Sequence, residues 1–351
     1  MDKIKVVAVG VGNCCSSLLQ AIKFYKENNI GLMHECLGGF RPSDIEIVGA
    51  IDIDSRKVGK DLSEAIFAEP NVALKVCDVP PTGVKVVKGE VFDGAEGVLK
   101  DLISVDGTPP INVRDYIRDT GAEIVLNLLP TGARRASEFY AKAALDCGCA
   151  FINCTPTRIA TDGTWAKMFE EGGAPVVGDD LMSQIGGTAL HMELLEFLKS
   201  RGVKVEKTYQ LDIGGSMEAY GILEDYRREE KRRIKTETIK QVLPEDSKIA
   251  TGTSDFVGFM KDRRTSYFYV EGKNCLGTDV VIDIYFRTYD GANGAGMLLD
   301  VIRGTEIAIK RGISGALISV SAYGFKKPPV PCPISEARKW FDDFVTGRRE
   351  K

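Results

Sequence analysis

The chain has 351 residues, 44% hydrophobic and 27% charged, enough for a sizeable core and, at ~150 residues each, about two domains. Its net charge of -4 and pI near 5.5 oppose the basic balance of a general nucleic-acid binder, so an anionic small molecule would need locally concentrated positive charge. No apolar run reaches the ~18 residues a membrane helix needs and the first residues lack a cleavable leader pattern, so a cytoplasmic protein with reduced thiols and no membrane contact is expected.

Taken in order, Ile4–Gly10 (IKVVAVG) is a β-rich run closed by glycine, and Ser16–Tyr25 carries apolar residues at helical spacing. Ile45–Asp52 predicts a second strand and Ser55–Phe67 a helix. Glu123–Pro130 is a nearly continuous apolar strand before a helix over Ala133–Gly148, and Cys149–Cys154 and Ala174–Asp180 repeat the strand pattern. Apolar strands separated by helices imply a parallel sheet covered on both faces. After Gly202 the pattern changes. Val203–Gly215, Thr265–Gly272 and Thr278–Asp290 alternate only in part, which predicts a mixed or antiparallel sheet, open on one face or covered by a partner subunit. A helix returns over Ala292–Lys310, then an apolar strand over Gly315–Tyr323 and a C-terminal helix. The expected class is α/β: a doubly wound parallel sheet in residues 1–200 completed by 297–351, with a second domain inserted over 201–296.

The stretch VGVGNCCSS sets Gly10 and Gly12 between a strand and a helix. A dinucleotide pyrophosphate needs that arrangement: close-approaching backbone N–H groups with a helix N-terminus behind them. The third glycine of the usual fingerprint is replaced by Cys15. Asp52 ends the next strand, where an acid can take the adenine ribose hydroxyls and favour NAD over NADP. Its separation from Gly12 exceeds the usual ~20 residues, and a surface excursion over Asn28–Asp44 accounts for the excess.

His34 and His191 form no zinc-type pair, and Cys147, Cys149 and Cys154 read as small buried hydrophobes. Gly214 and Gly215 close a strand and form a candidate anion cradle. In EEKRRIK, Lys231 and Lys235 are four apart and share one helix face, with Arg228 and Arg232 as a neighbouring row. Two readings stand: a solvated face with Glu224–Arg228 pairing, or an anion-holding face. Asp290 and three glycines precede a helix start near Gly296, a further phosphate-holding terminus.

The blocks VGVGNCCSSLLQ, AIDIDSRKVGKDLSEAIF, VGDDLMSQIGGT, DIGGSM, SDFVGF, DGANGAGMLLDVIR and SAYGFKKPP stand in the order found in the inositol-3-phosphate synthase family. The chain resembles its short prokaryotic form over almost its whole length. The resemblance implies a Rossmann domain with bound NAD, an inserted α+β domain for catalysis and oligomerisation, and a homotetramer. It also implies redox-neutral conversion of glucose 6-phosphate to inositol 3-phosphate: oxidation at C5, enolisation at C6, aldol closure onto C1 and reduction of the remaining ketone. Carried over by position, the catalytic set is Lys231, Lys235, Lys326, Arg264 and Asp290. The cofactor set is Gly10, Gly12, Asn13, Cys14, Asp52, Asp180 and Ser183, and the substrate-phosphate set is Gly214, Gly215, Ser216, Glu218 and Asn293. The chain departs from the family pattern at Arg264, where a lysine is usual, at Ser216 and Glu218 in place of Asn and Asp, at Met182 in place of lysine, and at Gly291-Ala292. These departures keep open a paralogue that cyclises another sugar phosphate, such as fructose 6-phosphate, or a non-cyclising oxidoreductase or epimerase. Asp180, Asp290 and Glu218 could also hold a monovalent or divalent cation, although no ligand spacing demands one.

Overall fold

The computed structural model describes residues 3–351. In chain order the elements are β1 (Ile4–Val9), α1 (Asn13–Phe24), β2 (Ile45–Asp52), α2 (Leu62–Ala65), β3 (Val86–Lys88), α3 (Val113–Thr120), β4 (Ile124–Asn127), α4 (Arg134–Asp146), β5 (Ala150–Asn153), α5 (Gly163–Glu171) and β6 (Pro175–Val177). They continue as α6 (Gly187–Ser200), β7 (Lys204–Gly214), α7 (Met217–Gly221), α8 (Asp225–Lys240), β8 (Lys248–Phe256), β9 (Arg263–Lys273), β10 (Asp279–Tyr289), α9 (Asp290–Lys310), β11 (Gly315–Ala316), α10 (Ile318–Gly324) and α11 (Ile334–Val345).

Seven parallel strands form the first sheet in the order β11-β6-β5-β4-β1-β2-β3. Residues of β1 alternate between two cores. Ile4, Val6 and Ala8 pack with α1 and α9 residues, whereas Val7 and Val9 pack with α3 and α4 residues on the other face. A strand covered on both sides has no solvent side, which is why β1, β4 and β5 read as apolar runs rather than alternating patterns. Chain order reverses between β1 and β4, and the carboxyl ends of those strands frame the cleft described below.

The second sheet has the order β10-β9-β7-β8 and is mixed: β7 pairs parallel with β8 and antiparallel with β9. One face is packed with α6 residues through Leu195, Val205 and Val270. The other is open, and Leu211, Tyr267 and Tyr285 stand side by side on three strands, each more than a third exposed.

Several expectations are corrected. Within Ser55–Phe67 only Leu62–Ala65 is helical: Gly59 takes φ +83°, and Asp61 caps the short helix by accepting from the Ser63 N–H at 2.9 Å. The helix expected near Gly296 starts at Asp290, directly after β10. Gly315–Tyr323 gives a two-residue strand and then α10, because a short apolar run does not tell a buried helix from a buried strand. The Asn28–Asp44 segment is the surface excursion expected, with most of its residues exposed or half-buried, and it is pinned to the core at a few points. Leu37 is buried, His34 Nδ1 lies 2.6 Å from Asp300, and the fully buried Arg303 donates to the His34 and Phe40 carbonyls at 3.0 and 3.2 Å. The sequence patterns single out no element at β3, β8, α3, α5, α6 or α7.

Candidate active site

A cavity of about 290 Å³ opens at the strand-order reversal and runs from the glycine turn to the second sheet. At one end the wall is backbone. Gly10 has φ +94°, and a Cβ there would stand 2.9 Å from the Leu128 carbonyl oxygen, so only glycine lets β1 and the β4 loop meet. A Cβ on Gly12 would meet nothing within 4 Å, which leaves its surface open to a ligand. Helix α1 follows with no side-chain cap on its first N–H groups, a ready anion site.

Asp52 builds this turn. Its Oδ2 accepts from the Val11 N–H at 2.7 Å, and its Oδ1 accepts from Ile53 and Asp54 at 2.7 and 3.0 Å. Asn13 Oδ1 accepts from the Val72 and Ala73 N–H groups at 2.8 and 3.1 Å, tying α1 to the segment after α2. Cys14 and Ser183 also line the cavity. Burial, then the charges of Asp290 and Glu218, push the Cys14 thiol up to about 12, so it is a neutral wall. Phe92, Leu99, Leu129, Pro130 and Tyr140 supply an apolar side. The open glycine turn, the uncapped helix and the apolar slot fit a dinucleotide.

The other end is side-chain charge. Lys231 Nζ lies 2.7 Å from Glu218 Oε1 and 3.9 Å from Asp180 Oδ1. Lys326 Nζ donates to the same Asp180 oxygen at 3.0 Å. Arg264 bridges two acids, with Nη2 at 2.9 Å from Glu218 and Nη1 at 3.3 Å from Asp290. Burial opposes charge on Glu218, but Lys231 and Arg264 outweigh it and hold that carboxyl well below its usual range. Asp180 is lowered the same way: burial opposes, and Lys231 and Lys326 prevail. Lys231 is held protonated, since Asp180 and Glu218 overcome the cost of burial. Asp290 runs the other way, raised by burial despite Arg264. Among the described residues, Asp180 Oδ2 and Arg264 Nε are buried without a hydrogen-bond partner. Buried polar atoms of this kind mark where a ligand belongs.

The cavity walls thus gather Gly10, Gly12, Asn13, Cys14, Asp52, Asp180, Ser183, Ser216, Glu218, Lys231, Arg264, Asp290 and Lys326. Four expected residues stand off its wall. Lys235 is buried one turn beyond Lys231 and paired with Asp212, which also accepts from Ser266 at 2.6 Å and Gln210 at 3.0 Å. Burial lowers the Lys235 pKa against the pull of Asp212. Gly215 is no anion cradle: a Cβ there would lie 2.4 Å from the Lys261 nitrogen, so this glycine lets two backbone segments touch. Gly214 abuts Ala219 beside it, and Asn293 donates to the Ile185 carbonyl and to Thr288 Oγ1, both at 2.7 Å.

Asp262 and Arg227 are among the lining residues that the sequence reading did not single out. Asp262 faces Asp290 and accepts from the Gly291 N–H at 3.1 Å; burial, with the Asp290 charge, pushes its carboxyl up to about 6. Arg227 is 2% exposed and pairs with Glu224 at 2.6 Å, so the ion pair expected for Arg228 belongs to Arg227. Its signal was present: Arg227, Lys231 and Lys235 are spaced four apart on α8, and all three are buried. Arg232 and Arg233 are solvent-exposed, so EEKRRIK divides between a buried stripe and a solvated one. Met182 is buried.

A family model for myo-inositol-1-phosphate synthase matches residues 186–291. Over 98% of both chains the sequence is 38% identical to an inositol-3-phosphate synthase of Mycolicibacterium smegmatis. It is also 38% identical to one of Corynebacterium glutamicum, across 97% of this chain and 98% of that one. The chain belongs to the inositol-3-phosphate synthase family. Among solved structures, Ari2 superposes with a TM-score of 0.80 at 28% identity, covering 98% of this chain and 100% of that one. A myo-inositol-1-phosphate synthase-related protein of Thermotoga maritima shares the fold, with a TM-score of 0.83 at 21% identity over 98% of both chains. The resemblance drawn from the motifs and the doubly wound α/β class both hold. This is a family of NAD-using isomerases. Among the described residues no helix is long and apolar enough to cross a membrane, and no group of three potential ligands is placed to hold a metal.

Proposed function

We propose that the chain converts glucose 6-phosphate to inositol 3-phosphate with NAD, and that the reaction occurs in the cavity described above. The observation that carries this reading is that the glycine turn and the Lys231–Lys326–Arg264 cluster line one continuous cavity. NAD, held by the Gly10–Gly12 turn and the start of α1, would supply the hydride acceptor for C5 of the sugar and the hydride donor for the ring ketone.

The chain's own groups meet the remaining demands. Enolisation and ring closure put negative charge on substrate oxygens, and buried ammonium groups stabilise it. Lys231 and Lys326 hold that role, converging from α8 and from the segment after α10 on Asp180. Glu218 and Asp180 fix the lysines in place and balance them before substrate arrives. Arg264 grips an oxygen or the phosphate but does not exchange its proton: burial works against its charge, and Asp290 and Glu218 outweigh burial and raise its already high pKa. Asp262 is the lining acid poised to accept a proton near neutral pH. Lys235, through Asp212 and Ser266, braces the strand that carries Arg264.

The roles assigned to Gly10, Gly12, Asn13, Asp52 and Ser183 toward the nucleotide, and to Ser216 toward the sugar phosphate, are part of this proposal. So are the division into 1–200 with 297–351 and 201–296, a cytoplasmic location, and a homotetramer closed by the open sheet face around Tyr267. Light scattering of the purified chain tests the last, and a monomer would refute it.

Activity is tested by phosphorus NMR of glucose 6-phosphate incubated with the protein and NAD. Inositol phosphate should form without net NADH. Turnover of fructose 6-phosphate alone, or accumulating NADH, would replace this reading with a paralogue or an oxidoreductase.

A further inference from the structure

Arg227 stands one helical turn before Lys231 on α8 and is 2% exposed. Two of its three nitrogens are held. Nε donates to Glu224 Oε2 at 2.6 Å, and Nη1 donates to the carbonyl of Thr131 in the loop after β4. Nη2 is buried and has no partner among the described residues. Glu224 is committed as well, since its Oε1 accepts from the Val98 N–H at 2.9 Å. A Cβ on Gly132 would lie 2.9 Å from Nη1, so this loop needs glycine to let the guanidinium in.

The guanidinium therefore joins three parts of the chain: α8, the β4 loop of the parallel sheet, and the segment around Val98. Arg227 lines the cavity together with Thr131, Pro130 and Leu99, and its Nη2 lies against the Gly132 turn, where a Cβ would stand 3.4 Å from it. Leaving a buried guanidinium N–H unpaired is unfavourable, so an acceptor is expected to fill that place when the site is loaded. Helix α8 carries Lys231 at its next turn, so a ligand that engages Arg227 also fixes the lysine-bearing helix against the parallel sheet.

We propose that Arg227 Nη2 donates to an oxygen of the bound dinucleotide, making Arg227 a cofactor-binding residue that couples nucleotide occupancy to the position of Lys231. The inference rests on the dinucleotide reading above. Arg227→Lys keeps a cation for Glu224 but withdraws Nη2, and Arg227→Met removes both in case lysine finds the same acceptor. NAD affinity is measured by titration calorimetry on the full chain, at a temperature well below the melting point of each variant.

Both variants should bind NAD at least tenfold more weakly, while the KM for glucose 6-phosphate at saturating NAD stays within threefold. Wild-type affinity in both variants would overturn the inference, as would lowered melting temperatures with unchanged affinity, the mark of a purely structural ion pair. Failure of the wild-type chain to bind NAD would instead overturn the dinucleotide reading itself.

Discussion

The two ends of the cavity are built by different means. The nucleotide end is backbone: a glycine at φ +94°, a helix start without a side-chain cap, and Asp52 spending both carboxylate oxygens on the turn. The sugar end is side chain: Asp180, Glu218, Lys231, Arg264, Asp290 and Lys326 arrive from six separate places in the chain. In the backbone site the strand, glycine turn and helix start are contiguous in sequence, and Asp52 and the Leu128 carbonyl close around them. A side-chain cluster works only through its mutual pairings, so each member is set by the others.

This contrast predicts unequal responses to substitution. Lys231→Ala should give the largest effect, a loss of turnover of at least ~10²-fold in the phosphorus NMR assay, because it removes an oxyanion partner and leaves Glu218 and Asp180 facing each other. Gly10→Ala should act on the other end. It forces a Cβ to 2.9 Å from the Leu128 carbonyl in a conformation L-residues avoid, and should weaken NAD at least ~10-fold and destabilise the fold by about 1–3 kcal/mol. Calorimetry and thermal melting measure the two. If Gly10→Ala left NAD affinity intact, the backbone account of that end would be broken.

Arg264→Lys should have an intermediate effect. One ammonium does not span Glu218 and Asp290 as the guanidinium does, so turnover should fall about tenfold while NAD affinity holds. A rise in turnover would show instead that a transferable proton is what this position lacks.

The smallest effect concerns pH. Burial and the Asp290 charge raise the Asp262 carboxyl from 3.8 to about 6, so the folded chain retains a proton that the unfolded chain has released. Stability should therefore fall as pH rises between about 4 and 6, then level off. Asp262→Asn has no proton to retain and keeps an acceptor for the Gly291 N–H. Urea midpoints should move in favour of the variant across that window and run parallel to wild type above it. Parallel curves throughout would place Asp262 in water rather than against Asp290.

The same contrast explains what could be read from the residues. Apolar runs bounded by glycine located β1, β2, β4 and β5, and Gly10-x-Gly12 located the cofactor turn, because strand, turn and helix start are contiguous. Residue 262 gave no local signal, since its importance comes from α9 packing back against the start of β9. Arg227 did carry a signal, the same four-residue spacing as Lys231 and Lys235, but surrounding arginines on the solvent side of α8 obscured it. Gly214 and Gly215 were misassigned because a glycine needed for backbone–backbone contact and one needed for a phosphate look alike until the third dimension separates them. The motif blocks placed the sugar end; charge spacing alone did not.

The central claim is that both ends serve one reaction in one cavity, so the hydride removed from the sugar returns to the same molecule. Glucose 6-phosphate deuterated at C5 tests this most directly, with the inositol phosphate product read by mass spectrometry and NMR in the presence of excess unlabelled NADH. Full retention of deuterium at the carbon it left is the predicted result. Loss of the label to the free nucleotide pool would contradict the account.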